Sequence, residues 1–154
     1  MTITRRDLPI ILMADDDDDD FLLTERALRA SGLRNHLVRV LDGEELLDYL
    51  HARDKYKQTA VRPGLILLDL NMPRMDGSEA LLEIKSSPEF RDIPVIIFTT
   101  SKDEDDIYRS YQLGGNSFIA KPITFEGLTA VMRTIGAYWF ETVELPISHE
   151  QSKK

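Results

Sequence analysis

The feature that most limits the fold of this chain is a rhythm. Five short apolar runs recur along it: Ile10–Ala14 (IILMA), Leu37–Leu41 (LVRVL), Leu65–Leu68 (LILL), Val95–Phe98 (VIIF) and Ser117–Ala120 (SFIA). Continuous apolar runs of this length read as strands mostly buried on both faces. Between them lie segments with helical period, marked by Leu23, Ala27 and Ala30, by Leu46, Leu47 and Leu50, by Ala80, Leu81 and Ile84, by Ile107 to Leu113, and by Leu128, Val131, Met132 and Ile135. Strands alternating with helices imply a parallel sheet with helices on both faces, since crossovers between adjacent parallel strands are right-handed almost without exception. The punctuation agrees: Gly32 ends the first helix, Asp42-Gly43 opens the second, Gly77-Ser78 starts the third, and Pro94 precedes the fourth strand.

Composition narrows the function classes. A chain of 154 residues suits one domain with one working surface. Its 42% hydrophobic and 30% charged content is that of a globular protein. A formal net charge of −8, without a Lys/Arg cluster, argues against general affinity for nucleic acid or anionic membrane, both of them polyanions. The absence of cysteine excludes a disulfide framework and thiolate metal sites. Arg5 and Arg6 precede only the six residues Pro9–Ala14 before an acidic run, too few for a signal-peptide core or a membrane span. A cytoplasmic protein is the expectation. Two segments exceed a minimal fold of this kind. One is the charged connection Arg53–Pro63, longer than the ~4–6 residue loop median. The other is the ending from Ala137 (AYWFETVELPISHEQSKK), apolar and then polar, whose last ~8 residues are expected to fray.

The acidic run is Asp15–Asp20, six aspartates between the first strand and the first helix. Such runs are ordinarily solvated, because neighbouring carboxylates repel; here both flanks belong to the core. In open α/β sheets, ligands bind beyond the carboxyl ends of the strands, where the strand order reverses. The first strand ends in Asp15 and Asp16, the third in Asp69, the fourth in Thr99, Thr100 and Ser101, the fifth in Lys121 and Pro122. If the first and third strands are neighbours, three carboxylates meet beside a hydroxyl and an ammonium. Clustered carboxylates need a cation, and an all-oxygen site suits Mg²⁺. A calcium-hand loop does not fit: begun at Asp15 it places Asp20 at the required glycine and Arg26 at the bidentate glutamate, and begun at Asp16 it places Phe21 and Ala27 there. With charge neutralised, one carboxylate can attack phosphorus and form an acyl phosphate, and Asp69 is the candidate.

Four motifs then carry a family resemblance. MADD (Met13–Asp16), LLDLNMPRMDG (Leu67–Gly77), FTTS (Phe98–Ser101) and FIAKP (Phe118–Pro122), in this order and spacing, resemble the receiver domain of bacterial response regulators over about residues 8 to 140, with residues 141–154 as a C-terminal extension. The resemblance implies a doubly wound, five-stranded parallel sheet of order 2-1-3-4-5, a three-layer α/β sandwich of the flavodoxin/CheY-like kind. It implies Asp69 as phosphoacceptor, and Asp15, Asp16, Asp69 and the backbone carbonyl of Asn71 as Mg²⁺ ligands. It implies Lys121 as partner of a phosphoryl oxygen, Pro122 in a cis peptide, and Phe118 at an aromatic switch position where many relatives have Tyr. It implies Thr100, rather than Thr99, as the switch hydroxyl, because the family places that residue immediately before a small one, here Ser101. Lys102 falls at a variable position that in the family helps to set acyl-phosphate lifetime.

Each assignment has a plainer alternative. Asp15 and Asp16 could merely complement a helix dipole, and Asp17–Asp20 are expected to cap the first helix and fill its first turn. Phe118 would be core in most proteins, and Thr100 could reflect β-propensity. Leu22, opposite Leu23 and Ala27, is either a single exposed leucine or a docking contact for the phosphohistidine donor. Trp139 and Phe140 either pack on their own domain or form a homodimer contact, and the second is the expectation. The AYWFETVELP ending and the long Arg53–Pro63 loop are similar to stand-alone receivers serving phytochrome-type histidine kinases. His36, His51 and His149 form no spaced set. The resulting expectation is a single-domain, cytoplasmic response regulator of a two-component phosphorelay, accepting phosphate from a sensor histidine kinase. It would catalyse only its own phosphorylation and dephosphorylation, act on protein partners or by dimerising, and bind neither nucleic acid nor membrane. The rivals are a phosphorylation-independent adaptor and a haloacid-dehalogenase-type aspartyl phosphatase; the latter wants an acid at the position held by Asn71.

Overall fold

The computed structural model describes residues 8–146. Arg5, Arg6, His149 and the C-terminal residues expected to fray lie outside the described residues. Five parallel strands, β1 (Ile11–Ala14), β2 (Leu37–Val40), β3 (Leu65–Leu68), β4 (Val95–Thr99) and β5 (Ser117–Ala120), form one sheet in the order β2-β1-β3-β4-β5. Helices α1 (Asp18–Ala30), α2 (Gly43–Leu50), α3 (Gly77–Ser86), α4 (Glu104–Gln112) and α5 (Phe125–Gly136) form the crossovers and the final layer. The expected doubly wound fold and strand order are both present.

Alternation along the strands divides the core in two. Leu12, Ala14, Ile66, Leu68, Val95 and Ile97 face α2 and α3 through Leu46, Tyr49, Ala80, Leu81 and Ile84. Ile11, Met13, Leu65, Leu67, Ile96 and Phe98 face Ala27 and Leu28 of α1 and Leu128, Met132 and Ile135 of α5. The central strands β1, β3 and β4 are buried throughout, which is why they read as unbroken apolar runs. The edge strands β2 and β5 are only partly covered, so "buried on both faces" holds for the inner three alone.

The phase of α1 differs from the sequence reading. Its buried residues are Thr24, Ala27 and Leu28, while Leu23 is as exposed as Leu22, at 42% and 43%. The cause is the start of the helix: the Asp17 side chain accepts the amide hydrogen of Asp20 and sets the first turn, so positions 20, 24, 27 and 28, spaced i, i+4, i+7 and i+8, face the sheet. The helix is thus aligned by a polar cap, and a leucine at the wrong phase is left in water.

The long Arg53–Pro63 connection contains a 3-10 turn at Asp54–Tyr56 and is tied to α2: Tyr56 donates to Glu45 Oε1 at 2.9 Å, and Tyr49 donates to the Val61 carbonyl at 2.8 Å. Beyond Gly136 the chain continues as a π-helical stretch, Ala137–Thr142. Trp139 and Phe140 there are partly buried against the α1/α5 side of the core. No helix among the described residues is long and apolar enough to cross a membrane.

Candidate functional site

Four strands end alike, in an apolar run followed by one polar side chain at the tip. Asp15 follows β1, Asp69 follows β3, Lys121 follows β5, and Thr99 closes β4. The parallel registers align these tips on one edge of the sheet: Ala14 pairs with Leu68, Leu68 with Ile97, and Thr99 with Ala120. The gap where β1 and β3 send their helices to opposite faces therefore holds the site.

Lys121 is its hub. Its ammonium reaches Asp15 Oδ2 at 2.6 Å, Asp69 Oδ2 at 3.0 Å and Asp20 Oδ2 at 3.0 Å. The other Asp69 oxygen, Oδ1, accepts the Thr99 hydroxyl at 2.9 Å and the Asn71 amide hydrogen at 3.1 Å. Asp15 Oδ1 accepts the Asp17 amide hydrogen at 2.9 Å. Burial alone would push the Lys121 ammonium down; the Asp15 hydrogen bond and the charges of Asp69 and Asp15, with a further hydrogen bond to Asp20, hold it above the ordinary lysine range. Burial pushes Asp15 up, against the hydrogen bonds from Lys121 and the Asp17 amide. Three carboxylates thus converge on one ammonium.

The rest of the aspartate run divides by task. Asp17 caps α1, Asp18 pairs with Arg39 at 2.7 Å, and Asp16 and Asp19 are exposed. Arg39, from β2, also donates through Nε to the Asp15 carbonyl at 3.0 Å and lies over the Phe21 ring. It braces the first strand tip on the side away from Lys121.

The loop after Asp69 is fixed from two directions. Gly77 donates its amide hydrogen to the Leu70 carbonyl at 3.0 Å, and a Cβ there would overlap the Asp69 carbonyl oxygen, so only glycine permits this approach. Arg74, left-handed at φ 62°, is held by Asp42, which accepts from Nε at 2.8 Å while also capping α2. Gly43 donates to the Met75 carbonyl at 2.9 Å.

Three sequence expectations change or gain precision. The hydroxyl that reaches Asp69 belongs to Thr99, not Thr100: Thr99 is the last laddered residue of β4 and fully buried, whereas Thr100 lies one residue past the strand and is exposed. The Lys121–Pro122 peptide, expected cis, is trans, and no cis bond occurs among the described residues. Trans is the intrinsic preference of an X–Pro bond by ~0.5–1 kcal/mol, and Lys121 already reaches its three carboxylates from that geometry. Phe118 is half-buried against the α2/α3 side of the core, and its amide donates to the Tyr111 hydroxyl at 3.1 Å. Asp20, Arg39 and the Asp42–Arg74 pair were not singled out in the sequence. A signal existed for two of them: Asp20 stands at helical spacing from Ala27 and Leu28, and Arg39 is the one charged residue in an apolar strand.

Whether the residues suit a divalent cation can be judged from their chemistry. Among the described residues, no three His, Cys, Asp or Glu side chains form a ready-made metal cage. The available donors are nevertheless all hard oxygens, from Asp15, Asp16, Asp69 and Asn71, and Mg²⁺ needs few protein ligands because it keeps most of its waters. The fit is to a hydrated hard cation.

Comparison with known proteins decides the family. The model for the response regulator receiver domain matches residues 11–133. The chain is a receiver domain. Response regulator Rcp1 of Synechocystis is 38% identical over 137 residues, covering 89% of this chain and 92% of that one. The phosphorylated cyanobacterial phytochrome response regulator RcpA superposes with a TM-score of 0.84 at 40% identity, covering 90% of this chain and 99% of RcpA. The Mn²⁺-bound form of Rcp1 gives 0.83 at 37% identity, covering 91% and 100%. This receiver domain is thus homologous to the response regulators of two-component systems, phytochrome response regulators included, whose general mechanism is phosphorylation of an aspartate.

Proposed function

We propose that this receiver accepts a phosphoryl group on Asp69 from the phosphohistidine of a sensor kinase of the phytochrome type. The observation that carries the reading is the partition of the Asp69 carboxylate: Thr99 and Asn71 fix Oδ1, and Lys121 sits against Oδ2 with its charge directed at the same point. The carboxylate is oriented and the cation that a phosphoryl oxygen requires is already in place. Transfer forms a bond between an Asp69 oxygen and phosphorus as the phosphorus–nitrogen bond to the donor imidazole breaks; the imidazole is re-protonated from solvent. Hydrolysis by water later returns the carboxylate and releases phosphate. Catalysis of this kind is positioning and charge stabilisation.

Asp15, Asp16, Asp69 and the Asn71 carbonyl would hold Mg²⁺, which supplies neutralisation of phosphoryl charge when bound. Thr99 would follow the new dianion, and Phe118, tied through its amide to Tyr111 on α4, would carry the change to α4 and β5. Leu22 is read as a contact for the donor, and Lys102, exposed beyond β4, as a residue that tunes acyl-phosphate lifetime. Output is protein binding or homodimerisation in the cytoplasm, with Trp139 and Phe140, only partly covered by their own core, completing the dimer contact.

The test is incubation with Mg²⁺ and either acetyl phosphate or a phosphorylated kinase, read by intact mass and hydroxylamine sensitivity in wild type and Asp69→Asn. One hydroxylamine-labile phosphoryl group per chain, in wild type only, is expected. No adduct from any donor would leave the adaptor reading in its place.

A further inference from the structure

The hub of the site has no hydrogen to spare. An ammonium donates three hydrogen bonds, and the three carboxylates around Lys121 take all of them, at 2.6 Å for Asp15 and 3.0 Å each for Asp69 and Asp20. A phosphoryl group approaching Asp69 needs one of these N–H groups for an equatorial oxygen, so one carboxylate must let go. The three differ in what release costs. The Asp15 side chain is 1% exposed and that of Asp69 11%, and both belong to the proposed cation and phosphoryl site itself; Asp20 lies outside that set, is 37% exposed and can be rehydrated at once.

We propose that Asp20 is a positioning residue: it occupies the third N–H of Lys121 in the resting receiver and yields it to the incoming phosphoryl group, acting as a brake on phosphorylation. The inference rests on Asp69 being the phosphoacceptor. Its plain rival is that Asp20 merely supplies negative charge to the start of α1. The helix does not need it for that, since Asp18 and Asp19 stand in the same first turn. What sets Asp20 apart is direction. The Asp17 cap accepts its amide hydrogen at 3.0 Å, fixing the turn so that position 20 shares the inward face with Thr24, Ala27 and Leu28. Asp19, one residue earlier, is exposed and provides a control of equal charge on the same turn.

The experiment compares wild type, Asp20→Asn, Asp20→Glu and Asp19→Asn. The rate of adduct formation with acetyl phosphate and Mg²⁺ is measured by intact mass, and the Lys121 side-chain ammonium is followed by ¹⁵N–¹³C NMR without donor or metal. Loss of a partly exposed ion pair corresponds to a rate rise of roughly two- to fivefold in Asp20→Asn. Asp19→Asn should stay near wild type, Asp20→Glu should restore the slow rate, and the Lys121 signal should move in Asp20→Asn but not in Asp19→Asn. Equal rates for the two Asn variants, a slower Asp20→Asn, or an unmoved Lys121 signal each overturn the inference while the wild-type adduct stands. Absence of the wild-type adduct overturns the phosphoacceptor reading and this inference with it. If Asp20→Asn does not fold, Asp20→Ser carries the same expectations.

Discussion

Thr99 donates its hydroxyl hydrogen to Asp69 Oδ1 at 2.9 Å with both residues buried, while Thr100, its neighbour, faces solvent. A hydrogen bond to a charged group is worth ~1.5–3 kcal/mol. Thr99→Ala should therefore slow phosphorylation of Asp69 by about tenfold or more, whereas Thr100→Ala should remain within about twofold of wild type. Phosphorylation kinetics of the two variants side by side decide between the hydroxyls, and a larger defect at Thr100 would reverse the assignment.

Gly77 lies where a Cβ would meet the carbonyl oxygen of Asp69 and the Cα of Leu70, both backbone atoms that cannot rotate away. Gly77→Ala must move the strand tip or the start of α3. We expect a loss of about 2 kcal/mol or more in denaturant unfolding, in the range of overpacked sites, together with slower phosphorylation. An alanine variant as stable and as reactive as wild type would mean that the loop relaxes without moving Asp69.

Lys121 is the cation facing buried Asp15, and their side chains are 8% and 1% exposed. Removing one partner of such a pair is costly because it leaves an uncompensated buried charge. Lys121→Met should destabilise by about 3 kcal/mol, and adding Asp15→Asn should recover a large part of that loss. A double variant no more stable than the single one would show that Asp69 and Asp20, rather than Asp15, carry the coupling. Chemical unfolding of the three proteins in one buffer gives the comparison.

Burial raises the phenols of Tyr49 and Tyr56, and for Tyr56 the hydrogen bond and charge of Glu45 raise it further. A raised folded value means that the native state keeps a proton the unfolded chain gives up. The associated stability is fully present below the unfolded tyrosine value of about 10 and is lost as pH rises beyond it through the folded values. Melting temperature should thus fall above pH ~10, and Tyr56→Phe should flatten that fall. Identical alkaline profiles for the two proteins would rule out Tyr56 as a contributor.

What was legible in the sequence follows from which forces act locally. The strands could be read because β1, β3 and β4 are covered on both faces and must be apolar without interruption. Asp15, Asp69 and Lys121 could be read because each is the first polar residue after such a run. The same rule points to Thr99 as the hydroxyl in contact with Asp69, whereas the family pattern points to Thr100 as the switch. The phase of α1 was harder, because a side-chain cap at Asp17 and not the leucine pattern aligns the helix. Asp20 and Arg39 were missed for a related reason: in a run of six aspartates, composition says only that charge is abundant, and the partners that single out one member come from β5 and β2, distant in sequence.

The C-terminal segment offers a last test. Trp139 and Phe140 pack against the α1/α5 side of the core yet remain only partly buried, and Tyr138, edge-on to the Trp139 ring at 5.1 Å between centroids, is 50% exposed. An apolar group half covered by its own domain loses less on truncation than a core residue. Trp139→Ala should cost about 1–2 kcal/mol in monomer stability, below the ~3–5 kcal/mol of a fully buried aromatic. The uncovered half is what a second copy would bury. If the proposed homodimer contact holds, sedimentation equilibrium of the phosphorylated protein shows a dimer that Trp139→Ala weakens by about tenfold or more, because aromatic anchors carry a disproportionate share of interface energy. A dimer equally strong in the variant would place self-association elsewhere and leave Trp139 a residue that packs only on its own domain.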